Sequence, residues 1–337
     1  MPLDVRKQNE ILEELGHGIG STALHEVWPG SFPNGNRVFA KAEMSNPSGS
    51  HYDRVYFELF KKDIEELTVL RPDYLVEVSS GNAGASFAWF CHKLGFKCRV
   101  ILPDGLPAGF IENIRRLNRN AEIDVSPYRK KYLQGAVHFL REELISAKLL
   151  SRRVYCPNHS RRKETLEGTK HIGDECAVQL KRTFGISQLH YFIAAVGNGA
   201  TIIGSARPLK QRFGNLRVVA FETESAPIGF QVKYPDTPKK PCSPHKLYGT
   251  GAYGISFPFI HDSNYQFSRI VDEVRLIDEP RLERAKHLRF KMGYSVGLTS
   301  LVGLELALEI MNANVQCKGC NFLILFYDRG EKYDWLE

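Results

Sequence analysis

The sequence predicts an α/β fold in which parallel strands are covered by helices. Three observations carry this. Short β-branched apolar runs alternate with longer amphipathic stretches along the chain, the pattern of a sheet with helices on both faces. Glycine-rich loops follow strand-like runs directly, which is where open α/β sheets hold their ligands. The chain has 337 residues, 43% hydrophobic and 25% charged, ordinary for a globular protein and suited to two domains or one large unit.

In chain order, strand-like runs occupy 37–44, 73–79, 97–103, 121–126, 191–197, 216–222, 269–274 and 321–328. Each is a short β-branched or aromatic segment of the length a buried strand needs. Helical candidates, longer and amphipathic, lie at 86–95, 132–148, 280–293 and 300–313. No repeat or low-complexity segment interrupts the alternation.

Composition narrows the function classes. No apolar run reaches the ~18 residues of a membrane-spanning helix, and the charged start "MPLDVRKQNEILEEL" lacks the apolar core of a secretory signal. No membrane partner is therefore expected. Seven cysteines without dense spacing suit reduced thiols and a cytoplasmic setting. "CKGC" (317–320) has neither a second pair nor a histidine cluster nearby, so it reads as a turn before the strand "NFLILFY" and no metal site is expected. Net charge is +7, with basic clusters at "YRKKY" (128–132) and "SRRKE" (160–164). Neither carries a nucleic-acid motif, and solvated faces explain them better. A basic balance also suits a protein whose ligands are anionic.

Three loops have the composition of a binding site. In "SSGNAGAS", Gly81 and Gly84 bring backbone close to a ligand, while Ser79, Ser80 and Asn82 offer polar side chains. Free amides at the following helix start attract a carboxylate, although a plain helix cap looks the same. In "GNGATIIG", Gly197 and Gly199 expose amides and Thr201 adds a hydroxyl, the ingredients of a phosphate cradle. It has neither a P-loop lysine nor the G-x-G-x-x-G spacing. "YGTGAYGISFP" (248–258) reads as an active-site wall or a compact structural loop.

Together with "KAEMSNPSGSHYDR" (41–54), "GYSVGLTSLVGLELALEI" (293–310) and "DRGEKY" (328–333), these loops stand in the order of one family. The chain resembles the fold-type II pyridoxal-phosphate enzymes, in the cysteine synthase and cystathionine β-synthase branch. The resemblance implies a two-domain, tryptophan synthase β-like architecture. A smaller domain over 38–157 would carry "NPSGSHYDR" and "SSGNAGAS". A larger one, 1–37 plus 158–337, would carry the phosphate cup and "GLTS", with the ligand between them. It further implies that Ser79, Ser80, Gly81 and Asn82 grip a substrate carboxylate and that Asn82 also meets the cofactor's ring hydroxyl. Gly197, Asn198, Gly199, Ala200 and Thr201 would form the phosphate cup, with Thr299 facing the pyridine nitrogen. The implied ligand is an amino acid, the implied chemistry β-replacement or β-elimination, and the implied assembly a homodimer.

One position departs from the pattern. Where the family carries its Schiff-base lysine, within Asn46 to Arg54, this chain has Tyr52. Lys41 precedes the loop and its family counterpart is not the cofactor lysine. The lysine holds the cofactor as an imine and moves the α-proton; a phenol does none of the imine chemistry. No internal aldimine is expected, so pyridoxal phosphate would bind non-covalently or as an amino-acid adduct. Four accounts remain open: altered chemistry with Tyr52 or His51 as the base; a catalytically dead relative that senses a ligand or binds a partner; a reaction on a phosphorylated substrate without pyridoxal phosphate; or an engineered residue.

Overall fold

The computed structural model describes residues 4–128, 132–239, 242–243, 245–251, 254–293, 295–313 and 317–333. The strands among them are β1 Leu24–Val27, β2 Arg37–Lys41, β3 Tyr74–Val78, β4 Cys98–Leu102, β5 Glu122–Val125, β6 Val154–Tyr155, β7 Tyr191–Ala195, β8 Arg217–Thr223, β9 Glu273–Ile277 and β10 Asn321–Leu325. The first helices are α1 Val5–His17, α2 Tyr52–Leu70, α3 Asn82–Leu94, α4 Ala108–Leu117, α5 Tyr132–Leu149 and α6 Glu164–Phe184. They are followed by α7 Ala200–Arg212, α8 Ile228–Lys233, α9 Pro258–His261, α10 Phe267–Ile270, α11 Glu279–Leu288 and α12 Leu298–Ala313.

The strands form two sheets, ordered β1-β2-β10-β7-β8-β9 and β5-β4-β3-β6. Only β1 runs antiparallel to its neighbour; every other pairing is parallel. Parallel strands are buried on both faces, and the interiors of β2 (38–40), β7 (192–194) and β10 (322–325) are accordingly Val, Phe, Ala, Ile and Leu with almost no exposure. The α/β expectation holds. Strand β2 lies between β1 and β10 of the six-stranded sheet.

Other expectations shifted. The run 269–274 is split: Phe267–Ile270 is helical, and the strand starts at Glu273. Helices α2 and α6, which pack on each other, have no counterpart among the helical candidates read from sequence. Their buried faces include Asp53, Arg54, Thr165 and Gly168, which breaks the simple apolar stripe. The basic run 128–132 falls largely outside the described residues.

The segment "KAEMSNPSGSHYDR" is a structural wedge between the sheets. The Lys41 ammonium, fully buried, meets Thr22 O at 2.6 Å, Glu175 at 2.6 Å and Gln179 at 2.9 Å. Arg54 grips Glu43 at 2.7 and 2.8 Å and Glu175 at 2.6 and 2.8 Å. Burial opposes the Glu175 charge, but Arg54 and Lys41 hold its pKa at about 2. Asn46 accepts from Gly20 N–H at 2.9 Å and donates to Glu43 O at 2.8 Å. Asp53 turns back to accept from Ser48 N–H at 2.7 Å and from the Ser86 hydroxyl at 2.7 Å. These bonds fix where α2 begins, and so where Tyr52 stands.

Candidate functional site

Tyr52, the first residue of α2, occupies the junction of two spaces. On one side is a narrow slot of about 50 Å³, lined by Ser80, Asn82, Asn198, Gly199, Thr201, Tyr248, Thr299, Tyr327 and Asp328 among others. On the other is a cavity of about 510 Å³ between the two sheets. Tyr52, Ser80, Gly197, Asn198, Tyr248 and Gly249 line both.

The loop after β3 is built for close approach. Ser79 Oγ accepts from Gly81 N–H at 2.9 Å and from Gly84 N–H at 2.6 Å. Gly81 has φ +132°, and a Cβ there would lie 2.3 Å from a Phe110 ring carbon; only glycine fits. The loop after β7 enters α7 through Gly199 at φ +91°. Asn198 Oδ1 accepts from Ala200 N–H at 3.0 Å, and Thr201 Oγ1 meets His51 Nε2 at 3.2 Å. The third loop packs onto this cup as a wall: Gly251 N–H donates to Val196 O at 3.0 Å, and Thr299 Oγ1 to Tyr248 O at 3.2 Å. Residues 252 and 253 of that loop lie outside the described residues.

The sequence-selected polar residues thus converge on one cleft, and several of their hydrogen-bonding groups are already engaged, while His51 Nδ1 and Asp328 Oδ1 are buried there without a partner among the described residues. Asn82 donates to Asp328 Oδ2 at 2.8 Å and accepts from the Lys332 ammonium. Asp328 Oδ2 also accepts from Tyr333 OH at 2.9 Å and lies 3.3 Å from Lys332 Nζ. Phe110, Tyr333 and Tyr248 close the slot, with ring centroids 5.2 and 6.0 Å from Phe110. Burial lowers the His51 pKa to about 4 despite the negative charges of Glu43 and Asp328, so its ring is neutral at pH 7. Burial, with Glu77 nearby, raises the Tyr52 phenol to about 12. A general acid or base works best near the ambient pH, and both expected bases are displaced from it.

A family model described as "Pyridoxal-phosphate dependent enzyme" matches residues 15–325. The chain belongs to that family. It is 28% identical to cysteine synthase B of Campylobacter jejuni, over 86% of this chain and 87% of the relative. It is 26% identical to the O-acetylserine dependent cystathionine β-synthase of Bacillus subtilis, over 96% of both chains. The fold superposes on a hydrogen sulfide-producing enzyme of Fusobacterium nucleatum with a TM-score of 0.78 at 23% identity, covering 96% of this chain and 99% of that one. The chain is therefore cysteine synthase-like, with a fold-type II architecture.

Membership implies pyridoxal phosphate as the group for this cleft, and the side chains permit a test. They do not fit it in the place the family motifs assign. Position 52, where the motif resemblance leads one to expect an amine, holds a phenol. Asn82, which should meet the ring hydroxyl, is taken by Asp328 and Lys332. The Thr299 hydroxyl donates to Tyr248 O, and that of Thr201 lies against His51 Nε2. The slot's 50 Å³ is far below the ~300 Å³ at which small-molecule sites begin.

Sequence reasoning missed Asp328, Lys332 and Tyr333 as site residues, although the ending "DRGEKY" held them. It also missed Glu77 and His159, which line the larger cavity. An acid within the apolar run "DYLVEVS" was the available signal for Glu77.

Proposed function

We propose that this chain is a cysteine synthase-like protein that binds a small amino-acid-type carboxylate between its sheets without lysine-imine chemistry. The observation that carries this is the position of Tyr52, a half-buried residue between a narrow slot and an open cavity ten times larger in volume. Ser79 and Ser80 of the expected carboxylate loop line the cavity, and so do Arg141 and Arg161. The cavity lies within the ~300–1,000 Å³ range of small-ligand sites.

In this reading Tyr52 and His51 are walls, and the cup loop holds the cleft together through its own side chains. O-acetyl-L-serine, named for the Bacillus subtilis relative, is the first ligand to test. Titration calorimetry on the purified chain should show saturable binding of O-acetyl-L-serine, and pyridoxal phosphate should leave the melting temperature unchanged. Stabilisation by pyridoxal phosphate together with turnover of the amino acid would overturn the proposal.

A further inference from the structure

The larger cavity holds a constellation that the fold-family chemistry does not use. His159 follows Asn158, a non-glycine residue at φ +53°, and its ring turns inward to 7% exposure. Its Nδ1 lies 3.3 Å from Glu77 Oε2, itself 4% exposed. On the far edge of the same ring, Nε2 lies 3.3 Å from Ser160 Oγ. Glu77, His159 and Ser160 all line the cavity.

Buried carboxylate, imidazole and hydroxyl in that order form the relay that activates a serine nucleophile. Glu77 fixes the tautomer. It accepts from the His159 backbone N–H at 3.2 Å and from the Tyr56 hydroxyl at 3.3 Å, so its Oε2 is an acceptor facing the ring. Nδ1 faces both Glu77 Oε2 at 3.3 Å and the Tyr56 hydroxyl at 3.2 Å; with the proton on Nδ1 toward the carboxylate, Nε2 is the acceptor for the Ser160 hydroxyl. Ser160 is half-buried and has room in front of it. Arg161, the next residue, lines the same cavity with Nη2 on Ser256 O at 3.0 Å. The opposite wall is apolar, with Leu133, Val137, Leu140 and Leu144 along one side of α5.

We propose that Ser160, His159 and Glu77 form an acyl-transfer site that hydrolyses small esters with an apolar acyl group. Ser160 Oγ bonds to the ester carbonyl carbon while its proton passes to His159 Nε2. The carbon–alkoxy bond breaks, and the leaving alkoxide takes that proton. Water then attacks the acyl-serine, His159 again carrying the proton, and releases the carboxylic acid and free Ser160. No oxidant, reductant or metal is needed.

The test is covalent labelling of the full chain with a fluorophosphonate probe, followed by peptide mass spectrometry, with p-nitrophenyl butyrate hydrolysis measured alongside. The expected adduct is on Ser160. Ser160→Ala should abolish both label and hydrolysis with no change in melting temperature, because the hydroxyl's one bond here is to His159. His159→Gln should slow labelling ~10²–10⁴-fold, the usual worth of a positioned base. Folded wild-type chain that takes no label, or takes it on another residue, overturns the proposal. Neither probe carries an amino-acid group, so the outcome is independent of whether O-acetyl-L-serine binds.

Discussion

The ring of Tyr52 meets the ring of His159 edge-on, their centroids 5.5 Å apart at 89°. Through this contact Tyr52 becomes part of the wall of the larger cavity. It also stacks obliquely on His51, with centroids 4.3 Å apart. Aromatic packing of this kind is worth about 0.5–1.5 kcal/mol per pair beyond burial, so Tyr52 is held in place from both sides.

Tyr52→Lys should alter the chemistry of the cleft directly. After incubation with pyridoxal phosphate and reduction by borohydride, the peptide carrying position 52 should gain the phosphopyridoxyl mass in the variant. The wild-type chain should show no such adduct on any lysine of the cleft. An adduct on Lys332 of the wild-type chain would mean that the imine function had moved rather than disappeared.

Gly81→Ala should damage both stability and ligand binding. The position's φ of +132° and the 2.3 Å that would separate an alanine Cβ from the Phe110 ring require a backbone shift in the very loop that faces the ligand. A strained residue of this kind costs about 1–3 kcal/mol. The melting temperature should fall, and binding of O-acetyl-L-serine should weaken at least ~10-fold on calorimetry. Unchanged values for both would show that the loop tolerates the methyl group and does not form the site.

Breaking the ion cluster beneath the site should be severe. Glu43 is fully buried and takes two bonds from Arg54. Glu43→Ala leaves the Arg54 guanidinium with Glu175 as its one carboxylate partner among the described residues, beside the Thr22 hydroxyl, and removing one partner of a buried pair costs about 3–5 kcal/mol. Urea unfolding should report a loss of that size; a change below ~1 kcal/mol would contradict the buried-network account.

Glu222 gives a pH signature away from the cleft. Its carboxylate accepts from Phe230 N–H at 2.6 Å and Gly229 N–H at 3.1 Å, but burial outweighs these bonds and raises its pKa from 4.5 to about 7. The folded state therefore favours the protonated form. Its stabilising contribution is fully present below pH 4.5 and is lost as pH rises through 7. The rise from 4.5 to about 7 amounts to roughly 3 kcal/mol at ~1.4 kcal/mol per pH unit. Glu222→Gln cannot ionise, so wild type should lose stability relative to the variant between pH 5 and 8 in urea titrations. A constant difference across that range would place the Glu222 pKa near its ordinary value.

The α/β class and the ligand-bearing loops were legible because both rest on local chemistry. Strand-length apolar runs and glycines after strands are short-range signals. Helices α2 and α6 escaped because tertiary contacts bury Asp53, Arg54 and Thr165 on their inner faces, and periodicity of apolar residues does not register a buried ion pair. The intact "NPSGS" and "DR" around Tyr52 suggested a preserved cofactor site. In the fold, Asn46, Ser48, Asp53 and Arg54 are bonded to one another, to Gly20 or to the Glu43 and Glu175 carboxylates. Those residues are accounted for by positioning α2, whatever stands at position 52.

The sequence by itself determined the family pattern, the positions of the cleft loops and the absence of an amine at position 52, since each is a matter of residue identity and spacing along the chain. Only the tertiary structure decided which hydroxyls and amides in the cleft still have free hydrogen-bonding capacity. It alone brought Glu77 of β3 against His159, 82 residues away along the chain. Hydrogen-bond capacity is consumed by neighbours in space, and the chain's order does not name them.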